Sequence, residues 1–193
     1  MDAIKLVLVG ECGVGKTSLL FSHTSNYFPT GDGPSIFDSW AETITVGTET
    51  YSLELWDTAS QPEYHRLRQL SYLRTDAFLI CFSVGSPASF DNIKETWYPE
   101  LQHHCPDLPF LLVATKIDLG DSSIKNAASG VGERLVTTAQ GVELAEKLGA
   151  EKYLERSAKT HQGLKNIFDE GIATAVKYKT SVARKRTTKC IVV

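Results

Sequence analysis

The apolar run Leu6-Val7-Leu8-Val9 leads directly into Gly10-Glu11-Cys12-Gly13-Val14-Gly15-Lys16-Thr17, and then into Ser18-Leu19-Leu20-Phe21. A buried strand, a glycine-rich loop and the apolar start of a helix, in that order, leave few folds open. The glycines let successive backbone N–H groups face one point, and the helix N-terminus adds partial positive charge there. Such a point attracts an anion. The spacing G-x-x-x-x-G-K-T is that of a phosphate-binding loop, in which Lys16 carries a full charge to the β- and γ-phosphates and the Thr17 hydroxyl is placed to ligate Mg²⁺. A chance glycine turn would require neither the strand before it nor the helix after it, so the segment reads as a nucleotide site.

The remaining pattern alternates strand and helix. Strands are expected over Lys5–Val9, Ala41–Val46, Tyr51–Asp57, Ala77–Phe82, Phe110–Ala114 and Lys152–Glu155. Helices are expected over Lys16–Ser25, Tyr64–Tyr72, Pro87–His104, Thr138–Leu148 and Leu164–Tyr178. Gly47-Thr48 suits a hairpin turn between the second and third strands. Ser86-Pro87 supplies a helix cap followed by a proline at the first helical position, and Gly149 is a C-terminal stop. One antiparallel hairpin among βα units predicts an α/β fold with three layers: a six-stranded, mixed but mostly parallel sheet with helices on both faces. Ligands of such sheets lie at the carboxyl ends of the strands.

Three further motifs follow predicted strands. Asp57-Thr58-Ala59-Ser60-Gln61 opens with a carboxylate able to hold Mg²⁺ through a water. Thr115-Lys116-Ile117-Asp118 ends with a carboxylate that can accept two hydrogen bonds from the N1–H and N2–H₂ edge of guanine. Adenine lacks that donor pair, and an unpaired buried carboxylate costs on the order of a few kcal/mol. Ser157-Ala158-Lys159 can close over the base with a backbone N–H. Singly, each carboxylate could end an ordinary turn; in this order and spacing they form one site.

A chain of 193 residues fits one α/β domain. It has no apolar run approaching the roughly 20 residues that span a bilayer, and no secretory pattern at its start. The four cysteines, Cys12, Cys81, Cys105 and Cys190, show no zinc spacing and suit a reduced, cytosolic setting. The net charge of −3 is uneven: six of the 20 bases and none of the 23 acids fall after residue 176, so the first 176 residues carry −9 and the tail +6. A basic end on an acidic globule suits an anionic surface, although a solvated, inert tail fits the charge equally well.

These motifs resemble those of the Ras-superfamily small GTPases, and within them the Rho family and its Rac-like branch. Phe78-Leu79-Ile80-Cys81-Phe82-Ser83, Trp97-Tyr98-Pro99-Glu100 and His103-His104-Cys105-Pro106 are similar to Rac-like sequences, as is Gly163 to Glu170. Thr115, where Ras proteins have asparagine, is the Rho form. Residues 121–136 occupy the insert specific to Rho proteins, where Gly130 and Gly132 disfavour the usual charged helix by about 1 kcal/mol each. The resemblance implies a G domain over 1–178 and a flexible basic tail over 179–193.

It also implies residue roles. Cys12, Gly13, Val14, Gly15, Lys16, Thr17 and Ser18 would surround the phosphates, with Ser60 at the γ-phosphate. Phe28 and Lys116 would flank the guanine, with Thr115, Asp118, Ser157, Ala158 and Lys159 completing its pocket. Thr17, Ser35 and, through water, Asp57 would hold Mg²⁺, and Gln61 would be catalytic. Ser35 replaces a threonine, and its missing methyl implies a less firmly closed first switch and weaker effector affinity. Asp32 replaces a tyrosine that lids the phosphates. Ile36, Phe37, Asp38, Ser39 and Trp40 would form the effector surface, with two exposed aromatics. Implied partners are GTP and GDP, effectors, exchange factors and a dissociation inhibitor of the Rho type; no nucleic acid is implied, and the chain is expected to be a monomer.

Cys190-Ile191-Val192-Val193 has the C-a-a-X form, so Cys190 is expected to be prenylated. One lipid chain binds membrane only marginally, and the basic tail would supply the second signal. The expected location is the cytoplasmic face of the plasma membrane or endomembranes, with a cytosolic pool. Three departures point to slow hydrolysis. Cys12 stands where the resembled family has glycine. Ser60 replaces another glycine, and Pro62 restricts Gln61. Two classes stay open: a cycling GTPase switch, and an interaction module that holds GTP and seldom turns it over.

Overall fold

The computed structural model describes residues 2–29, 37–120 and 135–189, with side chains for all of these except 37 and 184–189. Strand β1 (Asp2–Gly10) is central. Its residues from Ile4 to Val9 alternate between two cores, Leu6 and Leu8 on one face and Val7 and Val9 on the other. A strand covered on both sides must be apolar on both, and this explains the unbroken run in the sequence. Helix α1 (Lys16–Ser25) packs Leu19 and Leu20 into the first core, beside Ile167 and Phe168 of the last helix.

Strands β2 (Phe37–Val46) and β3 (Glu49–Thr58) form the antiparallel hairpin. Val46 pairs with Glu49, leaving Gly47 and Thr48 as the two-residue turn, and Gly47 supplies the positive φ (+64°) that such a turn needs. Strand β2 begins at Phe37 rather than Ala41 because the hairpin ladder continues to Phe37 opposite Thr58, and β3 begins at Glu49, which pairs with Val46 beside the turn. After β3 come a 3₁₀ turn (Pro62–Tyr64) and α2 (His65–Ser71), where the sequence suggested one helix.

Strand β4 (Ala77–Ser83) is buried throughout and pairs parallel to β1. The helix expected over Pro87–His104 is three pieces: α3 (Pro87–Asn92), a π-helical turn (Ile93–Trp97) and α4 (Tyr98–His104). Pro99 in the first turn of α4 has no N–H to give to the preceding turn, so the chain widens there. Strand β5 (Phe110–Thr115), α5 (Thr138–Leu148) and β6 (Lys152–Glu155) follow. Helix α5 opens on a Thr137/Gln140 capping box and closes on Gly149 at φ +75°. Helix α6 (Leu164–Lys189) outruns its expected end at Tyr178, so residues 179–189 of the expected flexible tail are helical. No glycine or proline occurs between Ile172 and Lys189 to stop it.

The sheet order is β2-β3-β1-β4-β5-β6, with only β2 and β3 antiparallel. The six-stranded mixed sheet with helices on both faces is the expected one. Chain direction across the sheet reverses at β1, whose carboxyl end leads into the phosphate loop, the position where open α/β sheets bind ligands.

Candidate functional site

Gly10 ends β1 at φ +141°, and a Cβ there would stand 2.1 Å from the Cys81 carbonyl oxygen, so β4 admits only glycine beside it. Gly13 and Gly15 also have positive φ, +73° and +103°, and Gly15 is the cap of α1. The loop therefore curls back over the first turn of the helix. Inside the curl Lys16 is 6% exposed, and its ammonium donates to Gly10 O at 2.7 Å, Glu11 O at 2.9 Å and Ser60 Oγ at 2.8 Å. Burial pushes the Lys16 pKa down, against the Asp57 charge, which favours the cation. The Thr17 hydroxyl donates to Asp57 Oδ2 at 2.5 Å, and Asp57 is buried. Thr58 Oγ1 donates to Leu8 O at 2.6 Å, tying the end of β3 to β1.

A hydroxyl and a carboxylate in contact are hard oxygen donors, which fit Mg²⁺ better than softer ions. Among the described residues no group of three or more His, Cys, Asp and Glu gathers for a metal. A Mg²⁺ held by one carboxylate, a hydroxyl and phosphate oxygens needs no such group.

A cavity of about 230 Å³ lies beside the loop, and its walls come from four separate segments. Val14, Gly15 and Ser18 form one side, Phe28 another, Thr115, Lys116 and Asp118 a third, and Ala158 and Lys159 the last. Ser157 Oγ donates to Asp118 Oδ1 at 2.6 Å and accepts from the Thr160 N–H at 3.2 Å. Ser157 is fully buried, so it fixes the carboxylate's rotation. Lys116 Nζ donates to Gly13 O at 2.6 Å, joining the β5 loop to the phosphate loop. Lys116 holds the left-handed conformation (φ +57°), which is costly for a side chain of this kind. The Thr115 hydroxyl lies 2.5 Å from Val14 O and 2.8 Å from Phe82 O. A larger cleft of about 400 Å³ between α3 and α5 contains none of these motif residues.

Gln61 is extended (φ −62°, ψ 142°), as a residue before proline must tend to be, and is half-buried. Cys12 is exposed. Behind this segment stands a network that sequence reasoning missed. Arg68, 3% exposed, donates to Ala59 O at 3.0 Å and grips Glu100 with two hydrogen bonds of 3.0 and 2.9 Å. The Tyr72 hydroxyl donates to Glu100 Oε1 at 2.6 Å. Burial alone would raise the Glu100 pKa, but the hydrogen bonds from Arg68 and Tyr72 outweigh it and hold the carboxyl low. A second missed pair is Asn92 Nδ2 donating to Glu11 Oε1 at 2.8 Å, from α3 to the phosphate loop.

The edge strand β2 carries Asp38 and Ser39 exposed to solvent. Trp40 differs from its expected exposure: it is half-buried and packs against the core, opposite Leu55 in the ladder. Ser35, Ile36, Asp32, residues 121–134 of the insert and Cys190 lie outside the described residues, as does the side chain of Phe37. Among the described residues no helix is long and apolar enough to cross a membrane.

A glycine loop at the reversal point of the sheet, a buried lysine inside it and an enclosed carboxylate beside it define a phosphate-loop nucleotide-binding domain. The Ras family model matches residues 5–177, and the chain belongs to that family. Ras-family proteins are small GTP-binding switches that take GTP and GDP, generally with Mg²⁺, and their domains are generally GTPases.

Proposed function

We propose that this chain is a Rho-type, Rac-like switch that binds GTP and GDP with Mg²⁺, hydrolyses GTP slowly and recruits effectors at a membrane. The observation that carries the guanine reading is the Asp118 carboxylate, held by Ser157 at one end of the cavity walled by Phe28 and Lys116. With Oδ1 held by Ser157 the carboxylate's rotation is set, and its two oxygens match two adjacent donors on the guanine edge. Lys16 and the backbone N–H groups of residues 13–18 bind the phosphates, while Thr17, Ser35 and, through a water, Asp57 are the candidate Mg²⁺ ligands. Bound Mg²⁺ would neutralise charge on the β- and γ-phosphates. The Rho and Rac assignment is supported by Thr115, by the insert at 121–136 and by the Rac-like strings around Phe78 and Trp97.

Slow hydrolysis is supported by the backbone around the γ-phosphate position. Gln61 orients the attacking water in this mechanism, and its extended conformation before Pro62 limits how far it can turn inward. The Cys12 side chain stands where an incoming arginine from an activating protein needs room. Residues 36–40 are the proposed effector strand, with Asp38 and Ser39 as its exposed members. Cys190 and the bases after residue 176 are proposed to anchor the protein to the cytoplasmic face of the plasma membrane or endomembranes, with a Rho-type dissociation inhibitor holding a cytosolic pool. The G domain then spans 1–178 and the membrane-directed tail 179–193. The nucleotide content of protein purified from its own cells tests the switch: predominantly GTP supports slow turnover, and predominantly GDP supports an ordinary cycle.

A further inference from the structure

A lysine ammonium has three N–H donors and no acceptor. In this protein all three donors of Lys16 are matched by protein oxygens: Gly10 O, Glu11 O and Ser60 Oγ, between 2.7 and 2.9 Å. Lys16 is buried, so bulk water does not readily replace a lost partner. A phosphate oxygen can bind this ammonium only by taking a donor from one of the three. Two of the acceptors are carbonyls of the phosphate loop itself. Gly10 is also fixed by its pairing with Cys81 of β4, and a shift there would break the sheet edge of the loop. Ser60 is different. It is half-buried, lies beyond the end of β3 and precedes the turn that starts at Pro62, so its hydroxyl can swing away without disturbing a strand.

We propose that Ser60 is an affinity-determining residue that acts through Lys16, its hydroxyl competing with nucleotide phosphate for the third ammonium donor. The inference rests on the nucleotide reading above and goes beyond it. In the free protein the hydroxyl satisfies the buried cation. Nucleotide binding displaces it and so releases Ser60, which couples the segment before α2 to occupation of the phosphate site. Without the hydroxyl the free state loses a partner for Lys16 and the bound state loses nothing. Removing it therefore tightens binding.

The test uses full-length protein stripped of nucleotide and titrated with the fluorescent probes mant-GDP and mant-GppNHp, comparing wild type with Ser60→Ala, Ser60→Gly and Ser60→Thr. Ser60→Ala is expected to bind both probes about five- to tenfold more tightly, the net worth of one ordinary hydrogen bond, since the phosphate replaces the hydroxyl as partner of the ammonium. Ser60→Gly is expected to tighten as well, whereas Ser60→Thr, which keeps a hydroxyl, restores the lower affinity. Thermal unfolding of the stripped protein gives a readout that needs no ligand: Ser60→Ala melts below wild type, and Ser60→Thr recovers. Unchanged or weaker probe binding by Ser60→Ala overturns the competition, because the hydroxyl would then assist the phosphate or ignore it. An unchanged melting temperature overturns it too. A wild type that binds neither probe defeats the nucleotide reading itself and the competition with it, a result distinct from binding that is insensitive to the hydroxyl.

Discussion

Replacing Glu100 by alanine should cost this protein more than any exposed charge change, for reasons visible in its surroundings. Its carboxylate is 9% exposed, and the Arg68 side chain beside it is 4% exposed. Deleting the carboxylate leaves a buried guanidinium with Ala59 O in place of a full counter-charge, and takes the acceptor from the Tyr72 hydroxyl. Breaking a buried ion pair from one side costs about 3–5 kcal/mol. At about 2–4 °C per kcal/mol for a domain of this size, the melting temperature falls by roughly 6–20 °C. Lys94 and Asp91 provide the internal control: they lie 3.8 Å apart, 44% and 60% exposed, and removing that pair should change stability by no more than about 0.5 kcal/mol. Glu100→Gln keeps the shape and part of the hydrogen bonding, so it should fall between the two. The assay is urea unfolding followed by fluorescence, with melting curves alongside. If Glu100→Ala and Asp91→Ala cost the same, the Arg68 cluster is not the anchor of the segment between β3 and α2.

Hydrolysis should respond to Cys12→Gly only in part, because Ser60 and Pro62 remain. Single-turnover assays with and without a Rho-family activating protein should show an intrinsic rate at or below about 10⁻⁴ s⁻¹ and loss of most of the roughly 10⁵-fold stimulation, and stimulation near that full value would contradict the slow-turnover reading. His23 stacks on Phe168 at 4.0 Å, and burial pushes its pKa down despite Glu42 at 3.7 Å and Asp169, with Lys165 adding to the depression. A depressed histidine contributes its full stability above the unfolded value of about 6.5 and loses it as pH falls through the folded value. Melting curves between pH 7.5 and 5 should therefore fall more steeply for wild type than for His23→Gln, and equal slopes would refute this. Cys190→Ser should leave the protein soluble and abolish a thioether lipid detectable by mass spectrometry; an unmodified Cys190 with an intact tail, in protein from its own cells, counts against the lipid anchor.

What the sequence revealed follows from how local each signal is. The phosphate loop, the Ser86-Pro87 helix start and the Gly149 stop are set by neighbours within a few residues, and the structure has all three. The run Leu6-Val7-Leu8-Val9 reads as a buried strand, and in the structure its residues alternate between the two cores. The contacts that orient the site span long stretches of chain and leave no local trace. Ser157 reaches Asp118 across 39 residues, Asn92 reaches Glu11 across 81, and Lys116 reaches Gly13 across 103. Lys116 was expected only beside the base; its ammonium also spans the two loops. The single helix expected over Pro87–His104 takes no account of Pro99; Ile93 and Trp97 before the proline and Leu101 after it pack into the same core, and the chain passes the proline as a π turn rather than ending the helix. The resemblance places Trp40 on an exposed effector surface, whereas its ladder position opposite Leu55 turns it onto the core.

Guanine selection by Asp118 is the claim on which the rest depends, and equilibrium competition measures it directly. Bound mant-GDP is challenged with GDP, GTP, ADP, ATP and xanthosine diphosphate, on wild type and on Asp118→Asn. The account predicts displacement from wild type by guanine nucleotides at concentrations at least about 10³-fold below those needed for adenine nucleotides, as expected where a site's buried polar groups would be left unpaired. It also predicts a shift of Asp118→Asn toward the xanthine nucleotide, whose 2-oxo group calls for a donor. Displacement of mant-GDP from wild type by ATP and GDP at comparable concentrations would contradict it.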